Sequence, residues 1–255
     1  MKKIFKTLGI VAFVLGMLFP FAFLGYWALG EGWRFPQLWP DRWYTTAFQS
    51  FFSGKFLQSF LLSMAISLTV AVFFFFLGYI TAQYVAYHRQ RKSLLRIAYL
   101  PFVASPVILA TCLLFLWIKL RLAGTLFGVV LAQWMFAFSF AIIFFVPFWS
   151  PTIRATEELV YTLGGTARQA LQKVLFPMSV SSLRICFFQT FLMSWVQYGV
   201  TLMVGGGKVQ TLPVLVYFYV NEANITFAAM ASLLLTLPPL LLLAFNKQYL
   251  WNTHG

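Results

Sequence analysis

Few residues in this chain are equipped for chemistry, and they fall into two groups. Thr190, Ser194, Gln197 and Thr201 form the first. Their spacings of 4, 3 and 4 put four neutral hydrogen-bonding side chains along one helix face. Gln189, Trp195 and Tyr198 lie beside them. A polar stripe in an apolar segment faces protein or water rather than lipid. It either lines the path of a polar solute or holds helix to helix by hydrogen bonds. The second group is the segment Glu157–Pro177, EELVYTLGGTARQALQKVLFP. It brings two acids, a Gly-Gly pair and a closing proline into the middle of a greasy chain. A polar stretch of this length between uncharged segments suits a partner outside the membrane.

Other chemistries lack their residues. The five acids, Glu31, Asp41, Glu157, Glu158 and Glu222, fall outside the confident apolar spans, and His88 and His254 sit in loops. A proton-coupled carrier usually places ionisable groups within the membrane. No HExxH, paired-carboxylate or metal-spaced cluster is present, so no catalytic or metal site is expected. Cys112 and Cys186 read as small apolar filler. Gly205-Gly206-Gly207-Lys208 imitates the end of a phosphate-binding loop. The full pattern needs a further glycine and a hydroxyl residue where Leu202 and Val209 stand. If ATP drives this protein, another chain hydrolyses it.

The elements that must position these residues are apolar spans. The 255-residue chain is 61% hydrophobic and 9% charged, against about 25% charge in an ordinary soluble domain. Leu8–Leu29 has 22 uncharged residues, Phe56–Tyr87 has 32, Ile97–Ile118 has 22, Leu122–Ile153 has 32 and Ile185–Gly207 has 23. A sixth run from Ala223 has 24 before Lys247. One spanning helix needs roughly 20. The expected fold is an all-α integral membrane protein of about six transmembrane helices, at 8–29, 57–86, 98–118, 125–149, 183–204 and 225–246. Residues 1–255 make one domain in this reading, with loop 150–180 between spans four and five. The two 32-residue runs should tilt or extend into the interface. The N-terminus imitates a secretory signal, but its apolar run continues through bulky Phe, Tyr and Trp to Leu29, so it reads as an uncleaved first span.

Charge orients the chain. With the N-terminus inside, the inner segments hold 12 of the 18 Lys and Arg residues and the outer segments hold 6. That satisfies the positive-inside rule and puts both termini in the cytoplasm. The net charge of +13 is thereby explained by membrane-flanking loops rather than by a nucleic-acid-binding face.

Smaller features fill in the plan. Trp33, Trp39, Trp43 and Tyr44 suit an interfacial belt, and Pro36 and Pro40 argue against one long helix there. Ser59, Ser63 and Ser67 share a helix face and favour close packing. Pro101 and Pro106 should kink span three. Gln133, Trp134 and Ser139 lie on span four, which ends near Pro147 and Pro151. Val209–Val220 is too short to span and suits a re-entrant or interfacial helix.

The segment Glu157–Pro177 resembles the cytoplasmic coupling loop of the permease subunits of type I, binding-protein-dependent bacterial ABC importers, the MetI-like fold family. Their loop reads E-A-A, three residues, G, nine residues, I-x-L-P. Glu158 takes the first place, Gly164 follows at the family spacing, and Val174 and Pro177 close the pattern without a gap. Glu157 extends the match. The six-span plan and the outer Thr211–Tyr217 pattern are also similar to the family. The chain departs from it at Leu159 and Val160, where the family has alanines, and at Phe176, where it has leucine.

The resemblance implies that Glu157, Glu158, Gly164, Gly165, Val174 and Pro177 dock an ATPase subunit. A helix–Gly-Gly turn–helix is expected, with Gly164 or Gly165 supplying φ > 0. It also implies ATP-Mg on that partner, a second permease subunit, and an external solute-binding protein, at a bacterial inner membrane. The chain itself would be no enzyme and bind no cofactor. Thr190, Ser194, Gln197, Tyr198 and Thr201 are the candidate path for a small polar solute. The outer Gly205–Leu215 segment looks most like the branch serving polyamines, thiamine or ferric iron. A secondary transporter and a non-transporting membrane scaffold are the alternatives.

Overall fold

A computed structural model describes residues 2–33, 39–43, 54–88, 92–103 and 105–251. Pro36 and Tyr44 of the aromatic segment, Arg89 and Arg91 of the basic inner loop, and His254 lie outside the described residues. The protein is an all-α integral membrane protein. Among the described residues, five helices are long and apolar enough to cross a membrane, or six if one bent pair counts as a span. The chain divides into two compact units, residues 1–62 with 211–255, and residues 63–210.

In the first unit, α1 (Lys2–Ala28) leads into a short antiparallel ladder of β1 (Gly30–Glu31) and β2 (Arg42–Trp43). Leu8, Phe13, Leu15 and Phe19 are exposed, as a lipid-facing helix requires. The first turns of α2 (Lys55–Tyr87) belong to this unit, as do α10 (Leu212–Asn221) and α11 (Ile225–Trp251). Helix α11 packs on α1 and α10. Ala28, Ala229 and Met230 form the buried centre. The Thr226 hydroxyl donates 2.5 Å to the Gly30 carbonyl and ties α11 to β1, just past the end of α1. Phe56 stacks on Tyr219 at 5.5 Å and Phe227 at 5.7 Å. The short apolar helix expected near 209–220 is α10.

The second unit holds the rest of α2, α3 (Lys92–Val103), α4 (Pro106–Lys119) and α5 (Leu126–Phe145). It continues with α6 (Pro151–Thr162), α7 (Ala167–Gln169), a π-helical turn (Ala170–Leu175), α8 (Phe176–Trp195) and α9 (Gly199–Gly205). Its core gathers Tyr79, Ala82, Ala141, Phe145, Trp149, Leu175, Leu183 and Cys186. Gly78 lets α2 approach α5, because a Cβ there would overlap that of Ala141. Ser63 and Ser67 are buried on the same helix, in keeping with a packing role. The Trp149 indole N–H donates 3.2 Å to the Tyr79 carbonyl.

Three expected spans differ from what forms. The first 32-residue run is one continuous helix, but the second is not. There α5 has only 20 residues, opened by a Thr125 cap that accepts from the Gly128 N–H at 3.0 Å. The flanking residues are spent on turns before Leu126 and around Pro147. The third span is broken rather than kinked: α3 and α4 meet at 103°. The physical cause is Pro106, which holds Ser105 extended at φ −57°, ψ 137° and opens a new helix. Pro101 stays inside α3.

The fifth span is shifted towards the loop. Helix runs from Ala167 to Trp195, not 183–204, and then stops. The π turn sits just before Pro177, which has no N–H to return to the Lys173 carbonyl. The Phe176 N–H reaches back to the Leu171 carbonyl instead.

Candidate functional site

The polar loop is a helix, a glycine turn and a second helix. Ser150 caps α6, and Pro151 occupies the first turn where a missing N–H is harmless. At the other end Gly164 adopts φ +80°, and its N–H donates 3.0 Å to the Tyr161 carbonyl. The Gly165 N–H donates 2.9 Å to the Val160 carbonyl. A Cβ on Gly165 would lie 2.6 Å from Val160 Cγ1, whereas one on Gly164 would meet nothing. The two glycines therefore serve different needs, one a left-handed backbone and the other a close approach. Thr166 and Gln169 then close a reciprocal capping box that starts the next helix.

The two acids face different ways. Glu157 is half-buried and accepts three hydrogen bonds: from the Tyr87 hydroxyl at 2.8 Å, the Gln83 amide at 3.3 Å and the Tyr161 hydroxyl at 2.8 Å. It ties α6 to the end of α2. Glu158 is exposed and pairs with Arg154 at 2.9 Å. With both side chains more than half exposed, that ion pair adds little stability. The Arg154 guanidinium also lies 5.3 Å from the centre of the Tyr87 ring. The hydrogen bond to Glu157, with a smaller contribution from burial, pushes the Tyr161 phenol above its ordinary range.

The departures from the family pattern have distinct places. Leu159 on α6 and Leu163, which caps its end one turn on, are 58% and 79% exposed. They give a polar loop an apolar outer face. Val160 instead packs beneath Gly165. Val174 is half-buried in the π turn, and Pro177 is exposed in the first turn of α8.

The stripe on span five does not exist as one helix face. Helix α8 ends at Trp195, Gln197 lies in the break, and Thr201 belongs to α9. Thr190 is fully buried and donates to the Cys186 and Phe187 carbonyls within its own helix. Tyr198 precedes the first residue of α9. What joins the broken pieces is Gln133 of α5. Its carbonyl oxygen accepts from the Ser194 hydroxyl at 2.5 Å, and its amide donates 2.8 Å to the Thr201 hydroxyl. The Thr201 hydroxyl in turn donates 2.9 Å to the Gln197 carbonyl. Gln133, Ser194 and Gln197 border a cavity of about 280 Å³.

Gln133 was visible in sequence only as a polar residue on span four. Gln83 and Tyr87 gave no signal at all, since their meeting with Glu157 depends on the approach of α2 to α6, whereas Tyr161 meets Glu157 one turn along α6 itself. Among the described residues, no group of three or more His, Cys, Asp or Glu side chains is placed to hold a metal ion.

The fold is similar to that of a chain in the crystal structure of a bacterial ABC transporter involved in the import of the acidic polysaccharide alginate. The two share a TM-score of 0.61 at 17% sequence identity, covering 97% of this chain and 95% of that one. No family model matches the chain, and no curated protein matches it by sequence.

Proposed function

We propose that this protein is the permease subunit of a bacterial ABC importer and forms the pathway of a small polar solute across the inner membrane. The observation that carries the reading is the α6–glycine turn–α7 loop, set in a fold shared along nearly its whole length with an ABC transporter chain. Leu159 and Leu163 give that loop an exposed apolar face, and Glu158 borders it. Such a face is fit to enter a groove on a soluble partner. Glu157, held by Tyr87 and Gln83, would carry the partner's motion into α2.

In this reading residues 1–255 act as one transmembrane domain with both termini cytoplasmic. Two ATPase subunits bind ATP-Mg, and this chain hydrolyses nothing. A second permease subunit completes the path, and an external solute-binding protein delivers the cargo, as in the MetI-like importers. Glu157, Glu158, Gly164, Gly165, Val174 and Pro177 serve docking or shape the loop. Ser194, Gln197 and Thr201 belong to the pathway, with Thr190 and Tyr198 supporting them.

Co-purification tests it. The full chain should bring down an ATP-hydrolysing subunit from its native membrane. Gly164→Trp, which adds bulk at an open turn, should weaken that association while the protein still inserts. Unchanged ATPase association and uptake in Gly164→Trp would refute the docking role.

A further inference from the structure

The second unit contains two helix breaks inside apolar segments, and they meet. One lies at Ser105, between α3 and α4. The other runs from Val196 to Tyr198, between α8 and α9. They abut closely: a Cβ on Gly199, the first residue of α9, would lie 3.0 Å from Val107 Cγ2 in α4. Backbone that leaves the helix at membrane depth is tolerated only where protein buries it or where it lines a watered cavity. Here a cavity of about 280 Å³ opens at the junction. Phe102 and Pro106 border it from the first break, Val196 and Gln197 from the second, and Gln133 from near the middle of α5.

Its chemistry is narrow. The walls are mainly apolar, and the side chains that can hydrogen-bond are Gln133, Ser194 and Gln197. None of the lining residues carries a charge. Gln133 makes one hydrogen bond through each end of its amide. An amide has two N–H donors and two lone pairs, so one of each is left for a ligand. An ion entering this space would find no counter-charge, whereas a hydroxyl or amide would find both donor and acceptor.

We infer that this cavity is a binding site for a small uncharged solute bearing hydroxyl or amide groups, with Gln133 and Gln197 as the recognising side chains. This rests on the permease reading for its purpose, but the site is testable without it. The full chain is purified into lipid nanodiscs with Cys112 and Cys186 replaced by alanine, and single cysteines are introduced. Three methanethiosulfonate reagents of similar size are the probes: neutral hydroxyethyl, cationic trimethylammonioethyl and anionic sulfonatoethyl.

Gln197→Cys should react with the neutral reagent about tenfold faster than with either charged one. Glu158→Cys on the exposed loop should react with all three. Val72→Cys, exposed on the outside of α2, should react with none. Adding Gln133→Leu should slow the neutral reaction, and erythritol in millimolar excess should protect Gln197→Cys against it. The inference is overturned if Gln197→Cys is inert, if a charged reagent matches the neutral one, or if Val72→Cys reacts equally fast. Inert Gln197→Cys in a chain that still brings down its ATPase would sink this site and leave the permease reading standing. A selectively reactive cysteine in a chain that brings down no ATPase would do the reverse.

Discussion

The Tyr87 hydroxyl donates 2.8 Å to the Glu157 carboxylate, joining the last residue of the 33-residue helix α2 to the middle of α6. Glu157 also receives Gln83 from the same helix and Tyr161 from its own. One of the two acids that the sequence offers as docking groups thus spends its lone pairs on the chain itself. Its neighbour Glu158 is the one left facing outwards. The loop therefore has an inner acid that fixes its angle and an outer acid beside an apolar face.

Tyr87→Phe should consequently uncouple the loop without unseating the partner. The lost bond is charge-assisted but half-exposed, so its loss should cost about 1 kcal/mol. ATPase co-purification should be unchanged, while solute uptake per ATP hydrolysed falls roughly fivefold. A uniform fall in both association and uptake would place Tyr87 in the docking surface instead.

The two glycines should respond oppositely to small changes. Gly164 is left-handed but open, so Gly164→Asn should be near neutral, and Gly164→Val should cost about 1–2 kcal/mol through its backbone alone. Gly165 is crowded by Val160, so even Gly165→Ala should disturb the turn, and Val160→Ala should relieve it only in part, because the Val160 carbonyl oxygen would still lie 2.8 Å from the new Cβ. Thermal unfolding in detergent and ATPase association read both. Relief of a Gly164→Ala variant by Val160→Ala, or a Gly165→Ala variant that Val160→Ala does not relieve at all, would remove the distinction.

Tyr161 sets a pH limit on the loop. Its phenol titrates above the usual value of 10.0 because the protonated form donates to Glu157. A group with a raised folded-state value lends stability that is full below its unfolded value and lost as pH climbs to the folded one. Stability and docking should therefore be insensitive to Tyr161 between pH 6 and about 9, with a loss setting in only above about 10. Comparing the melting temperature of Tyr161→Phe with that of the parent across this range checks it. A difference that varies between pH 6 and 8 would assign the titration elsewhere.

Sequence periodicity located the apolar segments well, because lipid imposes a minimum length that composition reveals. It misjudged where helices stop. The spacings of 4, 3 and 4 from Thr190 through Ser194 and Gln197 to Thr201 suggested one face, yet the backbone turns after Trp195, and the Ser194 and Thr201 hydroxyls meet again only through Gln133. Pro106 announced a disturbance but not a 103° break, since proline excludes continuation without fixing the new direction. The glycine turn was legible because φ > 0 has few residue solutions. The Glu157 contacts with Tyr87 and Gln83 were not, because they join positions separated by 70 and 74 residues.

The Gln133 bridge provides the sharpest test of whether these polar residues merely pack. Gln133→Leu strands the Ser194 hydroxyl, but Thr201 keeps its own bond to the Gln197 carbonyl. The stability cost should thus be about 1–2 kcal/mol rather than the sum of two lost partners. In a double-mutant cycle, Gln133→Leu with Thr201→Val should show a coupling of about 1 kcal/mol in unfolding. Ser194→Ala paired with Gln133→Leu should couple more strongly, since each is the partner the other leaves unsatisfied. If the same variants also raise KM for uptake more than they lower kcat, the amide acts on the solute as well as on the helices. Changes confined to the melting temperature, with KM untouched, would reduce Gln133 to a structural bridge.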